Sequence, residues 1–234
     1  MIYIMGTIAA GKTSLAKILA NDLQSPVYYE DVESNGLILN MLEKFYSSGK
    51  ESRKSNGAIL QIAFLTFRYQ QLRQAITQQN AVMDSSLESD FVMASQLHDH
   101  GEIGDQDFNV YVTLSQEMQA NVNGTPWNGL PDLMIYLKID ADHAISEIQK
   151  RGREMENAKR EPGLKDYYYR VHHAYEKWAQ GYTPAILLTI DRERFDYVNN
   201  TEDQNEVLDL IETKLKDLGK LSPKTFEKIR QRRK

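Results

Sequence analysis

The stretch IYIMGTIAAGKTSLAKILANDL, residues 2–23, sets a short apolar run, a glycine-bounded loop and a helical pattern in direct succession. Ile2 to Met5 is rich in strand formers, and from Ser14 to Leu23 the residues Leu15, Ile18 and Leu19 recur at helical spacing. Between them Gly6, Thr7, Ile8, Ala9, Ala10, Gly11, Lys12 and Thr13 match GxxxxGK(S/T) without a departure, in the strand-loop-helix context that gives this motif its meaning. Glycines let the backbone turn its N–H groups inward, and the helix N-terminus adds partial positive charge, so anionic phosphates settle there. The motif predicts that residues 6–13 grip the phosphates of ATP, with Ser14 continuing the set. Lys12 is expected at the β and γ phosphates, and the Thr13 hydroxyl on Mg²⁺.

Outward from this loop, strands alternate with helices. Val27 to Tyr29, Ala81 to Met83, Leu133 to Ile139 and Ala185 to Ile190 read as strands. Helical spacing recurs over residues 37–46, 58–79, 91–98, 105–118, 141–150, 164–180 and 206–216. Ser47 to Gly57, with two glycines and four serines, reads as a surface loop, and Asn121 to Pro131 as another. The alternation predicts an α/β fold with a parallel sheet flanked by helices on both faces. There is no internal repeat.

Composition narrows the class of partner. With 234 residues, 41% hydrophobic and 26% charged, the chain suits one folded domain, placed at residues 1–219, with a basic C-terminal tail at 220–234. A net charge of −5 argues against affinity for a nucleic acid backbone, which usually needs a basic face. The run Lys228, Arg230, Arg232, Arg233 and Lys234 is expected to be a solvated helix end or frayed tail. The absence of cysteine removes disulfides and thiolate chemistry and suits a reducing cytoplasm. The start lacks the pattern of a signal peptide, and no apolar stretch approaches the ~20 residues that span a bilayer.

Two acids stand at the ends of predicted strands, on the edge where open α/β sheets bind ligands: Glu30 and Asp84. A carboxylate within hydrogen-bond reach of an alcohol can take its proton as a bond to phosphorus forms, which is the role expected of Glu30. Asp84 is expected to hold metal or act as a base. The five histidines, at 98, 100, 143, 172 and 173, show no zinc-site spacing and read as structural.

Beyond the phosphate loop, the ordered set YYEDVESNG (28–36), LQIAFLTFR (60–68), DSSLESD (84–90), PDLMIYL (131–137), KRGREME (150–156) and DYYYRVHHAYEKW (166–178) resembles the deoxynucleoside kinases, specifically the bacterial deoxyadenosine and deoxyguanosine kinases. The likeness extends over nearly the whole chain. It implies a P-loop kinase fold with a short arginine-bearing lid at about 150–162, a homodimer paired through helices, and ATP-dependent phosphorylation of the 5'-hydroxyl of a purine deoxynucleoside in nucleotide salvage. Glu30 is then the base for that hydroxyl, while Gln61, Arg68 and Asp90 face the nucleobase. Gln61 and Arg68 lie two helical turns apart on one face, and a glutamine amide both donates and accepts. The resemblance also places Arg151 and Arg153 on the transferring phosphoryl group, Glu156 and Tyr46 at the sugar 3'-hydroxyl, and the segment Asp191 to Tyr197 against the ATP base.

One departure stands out. Where the family carries an arginine after the acid matching Asp84, an arginine that pairs with the catalytic glutamate, this chain has Ser85, which has neither the charge nor the reach. Glu88 likewise stands in a position usually held by tyrosine. Three explanations follow for Ser85: slow catalysis, compensation by another cation such as Arg153, or an altered substrate. Rival functions are another P-loop small-molecule kinase and a nucleotide-binding protein of this fold that has lost turnover.

Overall fold

The run Ile2–Met5 forms strand β1, and its period-two alternation splits the core into two layers. Tyr3 and Met5 pack into one hydrophobic cluster with Met83, Met134 and Tyr136, while Ile2 and Ile4 pack into the other with Val82, Leu133, Ile135 and Leu137. All four residues of β1 are buried, as a central strand of a parallel sheet covered on both faces requires. The computed structural model describes every residue except Asp31, Ser48, residues 123–129, Arg160, Pro162 and Lys234, so most of the loop expected at Asn121 to Pro131 lies outside the described residues.

Four further strands, β2 (Val27–Tyr28), β3 (Val82–Met83), β4 (Leu133–Lys138) and β5 (Leu187–Asp191), complete a sheet ordered β2-β3-β1-β4-β5, in which every pairing is parallel. Register follows the short strands closely: Tyr28 lies opposite Met83, and the Asp84 N–H donates to the Tyr28 carbonyl at 3.0 Å. The two segments that leave β2 and β3, Tyr29–Glu30 and Asp84–Ser85, therefore run out side by side at the C-terminal edge.

Helix α1 (Lys12–Leu23) buries Leu15, Ala16, Leu19 and Ala20 against one face of the sheet. Next come α2 (Gly36–Tyr46) and α3 (Gly49–Ala75), and α3 corrects the expected surface loop at 47–57: the helix already runs from Gly49. Tertiary contacts override the polar local sequence there. Arg53 is buried, its Nε 3.1 Å from Glu102 Oε1, and Arg170 Nη2 approaches the same oxygen at 2.8 Å. Gly57 allows a close approach, since a Cβ there would lie 3.1 Å from the Glu102 carbonyl oxygen, tighter than ordinary van der Waals contact.

The remaining helices are α4 (Leu87–Asp99), α5 (Asp105–Val122), α6 (Ala141–Arg151), α7 (Gly163–Gly181), α8 (Thr201–Asp217) and α9 (Pro223–Arg232). Asn200 caps α8 by accepting from the Glu202 and Asp203 N–H groups, and Ser222 caps α9 with proline at its first turn. Of the two alternatives expected for the basic run, the helix end is the one formed: α9 carries Lys228, Arg230 and Arg232 exposed. Phe226 and Ile229, one helical turn apart, are buried in the core layer of α1 and α8, each contributing about 1.5–3 kcal/mol. Arg233 closes the contact through ion pairs to Asp22 at 3.2 Å, Asp209 at 2.5 Å and Glu212 at 2.7 Å. Among the described residues no helix is long and apolar enough to cross a membrane.

Candidate active site

The loop from Gly6 to Thr13 turns sharply between β1 and α1, with Ala9 at φ 61° and Gly11 at φ 93° in left-handed conformations. Lys12 opens the helix, and its Nζ arches over the loop to donate to the Gly6 carbonyl at 2.9 Å and the Thr7 carbonyl at 3.0 Å. Behind the loop, the Tyr197 hydroxyl donates to the Gly11 carbonyl at 3.1 Å, and a Cβ on residue 11 would come within 2.7 Å of that hydroxyl. The Arg192 guanidinium stacks 4.4 Å over the Tyr197 ring and donates to the Phe195 carbonyl at 3.0 Å. The segment after β5 thus props the phosphate loop from beneath.

A cavity of about 500 Å³ opens beside the loop. Ile8, Ala9, Gly11, Lys12, Thr13 and Ser14 line it from the loop, and Leu42, Phe45, Leu60, Phe64 and Met93 give it apolar walls. Glu30, Tyr46, Gln61, Asp90, Arg151, Arg153 and Glu156, drawn from segments up to 126 positions apart, all reach this one space. Gly6, Thr7 and Ala10 shape the loop without lining the cavity. Asp191 does not line it either: its Oδ1 accepts from the Glu193 N–H at 2.9 Å and caps the turn after β5, while Arg192, Val198 and Asn199 face the cavity.

Arg68 is the second residue placed differently from expectation. It does not line the cavity but lies fully buried behind it, Nη2 bonded to Glu30 Oε1 and Nε 3.5 Å from Asp90 Oδ2. Its Nη1 donates to Gln71 Oε1 at 3.2 Å, and Gln71 Nε2 donates to the Tyr29 carbonyl at 2.6 Å. Gln71 escaped the sequence reading; its one signal was its place a helical turn beyond Arg68.

Both lid arginines converge on Glu156, which is buried and lines the cavity. Arg151 Nη2 lies 2.6 Å from Glu156 Oε2, and Arg153 Nη1 lies 3.5 Å from Oε1. Arg153 also pairs with Glu33 at 2.8 Å, so the compensation for Ser85 expected of it is not made towards Glu30. Arg151 is the last residue of α6, and Gly152, at φ 73°, ends that helix in a left-handed cap. Arg160 and Pro162 of the expected lid lie outside the described residues. Tyr46 is held edge-on between Phe45 and Tyr167, at centroid distances of 5.2 and 6.0 Å. Ser85 lines the cavity, Ser86 caps α4, and Glu88 accepts from Trp178 Nε1 at 2.8 Å.

Asp84 binds Thr13 through Oδ2, with the Thr13 hydroxyl donating at 2.5 Å, whereas its buried Oδ1 has no hydrogen-bond partner among the described residues. A hydroxyl and a carboxylate with one free oxygen suit Mg²⁺, which takes few protein ligands and leaves positions for phosphate and water. Burial pushes the Asp84 carboxyl up to about 6, against the opposing pull of Lys12 and the Thr13 hydroxyl, and burial pushes Asp90 up to about 7 despite Arg68. Desolvation lowers the Lys12 ammonium, and Glu30 and Asp84 oppose it.

These shifts set opposite pH trends for activity and stability. An acid whose folded pKa exceeds its ordinary value of 3.8 stabilises the fold below that value and loses the contribution as pH rises through its folded pKa. The thermal midpoint of the ligand-free protein is expected to lose the contribution of Asp84 and Asp90 between about pH 4 and 7, and Asp90→Asn should flatten that fall. On the expectation that Asp84 acts in its ionised form, kcat/KM should instead rise through about pH 6. A pH series of unfolding scans and rate profiles checks both; a midpoint trend unchanged by Asp90→Asn rules out the stability assignment.

The family model for deoxynucleoside kinase matches residues 2–216. The chain is 34% identical to a deoxyadenosine kinase of Lactobacillus acidophilus over 221 residues, covering 94% of this chain and 99% of that one. It is 33% identical to a deoxyguanosine kinase of Lactobacillus johnsonii, with 94% of each chain covered. Its fold superposes on the deoxyadenosine kinase of M. mycoides, solved with the products dCMP and dCDP bound, at TM-score 0.70 and 26% identity over 92% of this chain and 98% of that one. A phosphate loop opening onto a cavity with a carboxylate at its side, in a chain matched by that family model over residues 2–216, identifies the protein as an enzyme belonging to the deoxynucleoside kinase family.

Proposed function

We propose that the enzyme transfers the γ-phosphoryl group of ATP to the 5'-hydroxyl of a purine deoxynucleoside in nucleotide salvage. The observation that carries this reading is the shared cavity: the phosphate loop, Glu30, Gln61 and Asp90 line one space that also has apolar walls. The apolar walls suit a flat base, and the Gln61 amide can both donate to and accept from a purine edge. With burial holding Asp90 near 7, its carboxyl is poised between donor and acceptor states at neutral pH. The names of the Lactobacillus relatives point to the same substrate class.

In this reading Glu30 accepts the proton of the 5'-hydroxyl as the hydroxyl oxygen attacks the γ phosphorus and the bond to the departing ADP breaks. Lys12 holds the β and γ phosphates, and Arg151 and Arg153 leave Glu156 to meet the charge that gathers on the transferring group. Tyr46 and Glu156 hold the 3'-hydroxyl. Thr13 and Asp84 would hold Mg²⁺, which would offset the negative charge of the phosphates. Most of the rate then comes from positioning and preorganised charge. We assign the enzyme, with the same reading, to the cytoplasm as a homodimer.

The test is transfer of labelled phosphate from Mg-ATP to each of deoxyadenosine, deoxyguanosine, deoxycytidine and thymidine. Deoxyadenosine or deoxyguanosine is expected to show the highest kcat/KM. Preference for a pyrimidine would overturn the substrate assignment, and absence of transfer to all four would overturn the kinase reading.

A further inference from the structure

The C-terminal edge of β2 and β3 brings Glu30 alongside Ser85 without giving it a cation from that segment, since Asp84, Ser85 and Ser86 carry none. Charge reaches Glu30 instead from α3. Arg68 is fully buried, bonded through Nη2 to Glu30, facing Asp90 at 3.5 Å through Nε, and donating through Nη1 to Gln71. Gln71 in turn donates to the carbonyl of Tyr29, the residue before Glu30, at 2.6 Å. The guanidinium and the backbone carrying Glu30 are thereby fixed to one amide. Arg153 is engaged by Glu33 and Glu156, and Lys12, whose charge also acts on Glu30, is hydrogen-bonded to the Gly6 and Thr7 carbonyls.

We infer that Arg68, braced by Gln71, is the counter-cation of Glu30 in this chain and occupies the role that Ser85 leaves vacant, with Gln71 as a positioning residue for the reacting carboxylate. The inference rests on the kinase reading for its consequence in catalysis, but not for the contact itself. One planar cation then serves two acids, the proton acceptor Glu30 at the sugar end and Asp90 at the base end, a geometry that the fork of arginine donors permits and a lysine would not. Because Arg68 stands behind the lining, it acts on the substrate only through these carboxylates. A nucleobase that shifts Asp90 thus shifts the cation that orients Glu30, which ties base recognition to turnover.

The experiment combines kinetics with unfolding for the parent, Gln71→Met, Ser85→Arg, Glu30→Gln and two double variants. Gln71→Met removes both bonds of the brace while keeping bulk, and is expected to lower kcat for deoxyadenosine about tenfold with the KM for ATP unchanged. Adding Ser85→Arg to Gln71→Met should restore most of that loss, because a guanidinium from the start of α4 can then meet Glu30. In unfolding scans, the midpoint changes of Gln71→Met and Glu30→Gln should fail to add in their double variant, since both act on one guanidinium. Unchanged kcat in Gln71→Met, or additive midpoints, would overturn the inference, as would failure of Ser85→Arg to restore a folded Gln71→Met enzyme. Should the parent phosphorylate no deoxynucleoside, the kinase reading falls, and the unfolding cycle still decides whether Gln71 and Glu30 share Arg68.

Discussion

Lys12→Ala is expected to lower kcat by at least about a hundredfold while leaving the fold intact. The argument starts from the backbone. Gly6 and Gly11 are confined to conformations that bend the loop, and Lys12, as the first residue of α1, is delivered with its Nζ over the Gly6 and Thr7 carbonyls, which already hold it at 2.9 and 3.0 Å. The ammonium therefore needs little reorganisation to meet an anionic ligand on the loop. Its partial burial makes the charge effective, because the low local dielectric that depresses its pKa also strengthens its attraction to phosphate. Arg151 and Arg153 belong to a different chain segment and rest on Glu156, so neither is held on the loop as Lys12 is. Removing the side chain costs two hydrogen bonds to a loop whose shape is also set by Tyr197, so the thermal midpoint should move little. Steady-state kinetics with ATP checks the prediction, and wild-type turnover in the variant would remove the phosphate grip from residues 6–13.

What could be read from the sequence was whatever chemistry is carried by residues close together in the chain. The phosphate loop is contiguous, its strand and helix adjoin it, and Glu30 and Asp84 could be placed at strand ends because β2 and β3 are bounded by clear turns. The parallel sheet followed from the alternation of elements, and the seven-residue spacing of Gln61 and Arg68 did put both on the buried face of α3. What failed was whatever depends on distant partners. Residues 49–57 look like a loop until Glu102 and Arg170, far along the chain, are seen to hold Arg53. The basic run is exposed at Lys228, Arg230 and Arg232 as expected, but the docking of Arg233 was not legible, because the acids that receive it come from α1 and α8. Asp191 precedes Arg192, which lines the cavity, yet its own side chain is taken up by its turn. Arg68 shows the same limit most sharply: helical spacing gives its face, but whether it looks into the cavity or stands behind it is decided by Glu30, Asp90 and Gln71 together.

Glu30→Gln is expected to reduce kcat by about a hundredfold to ten-thousandfold, the range for loss of a positioned general base, with the KM for ATP nearly unchanged. Glutamine keeps the length and an oxygen that can accept from Arg68, so the buried guanidinium retains hydrogen-bond partners in the amide at 30, in Gln71 and in the facing Asp90. What it loses is the capacity to take a proton. Glu30 follows β2 at the edge where Asp84 follows β3, and it lines the same cavity as the phosphate loop, Gln61 and Asp90, which in the proposed reading brings a 5'-hydroxyl to a γ-phosphoryl group on residues 6–13. In the proposed reading the grip on ATP comes from residues 6–13, so the loss should fall on the chemical step and not on nucleotide binding. Glu30→Asp retains the charge but withdraws it by one methylene, and should fall between the parent and Glu30→Gln. Rapid-quench measurement of a single turnover isolates the transfer step. A wild-type transfer rate in Glu30→Gln would show that the hydroxyl loses its proton without a base at position 30, and would return the catalytic role to Asp84, the other carboxylate at this edge.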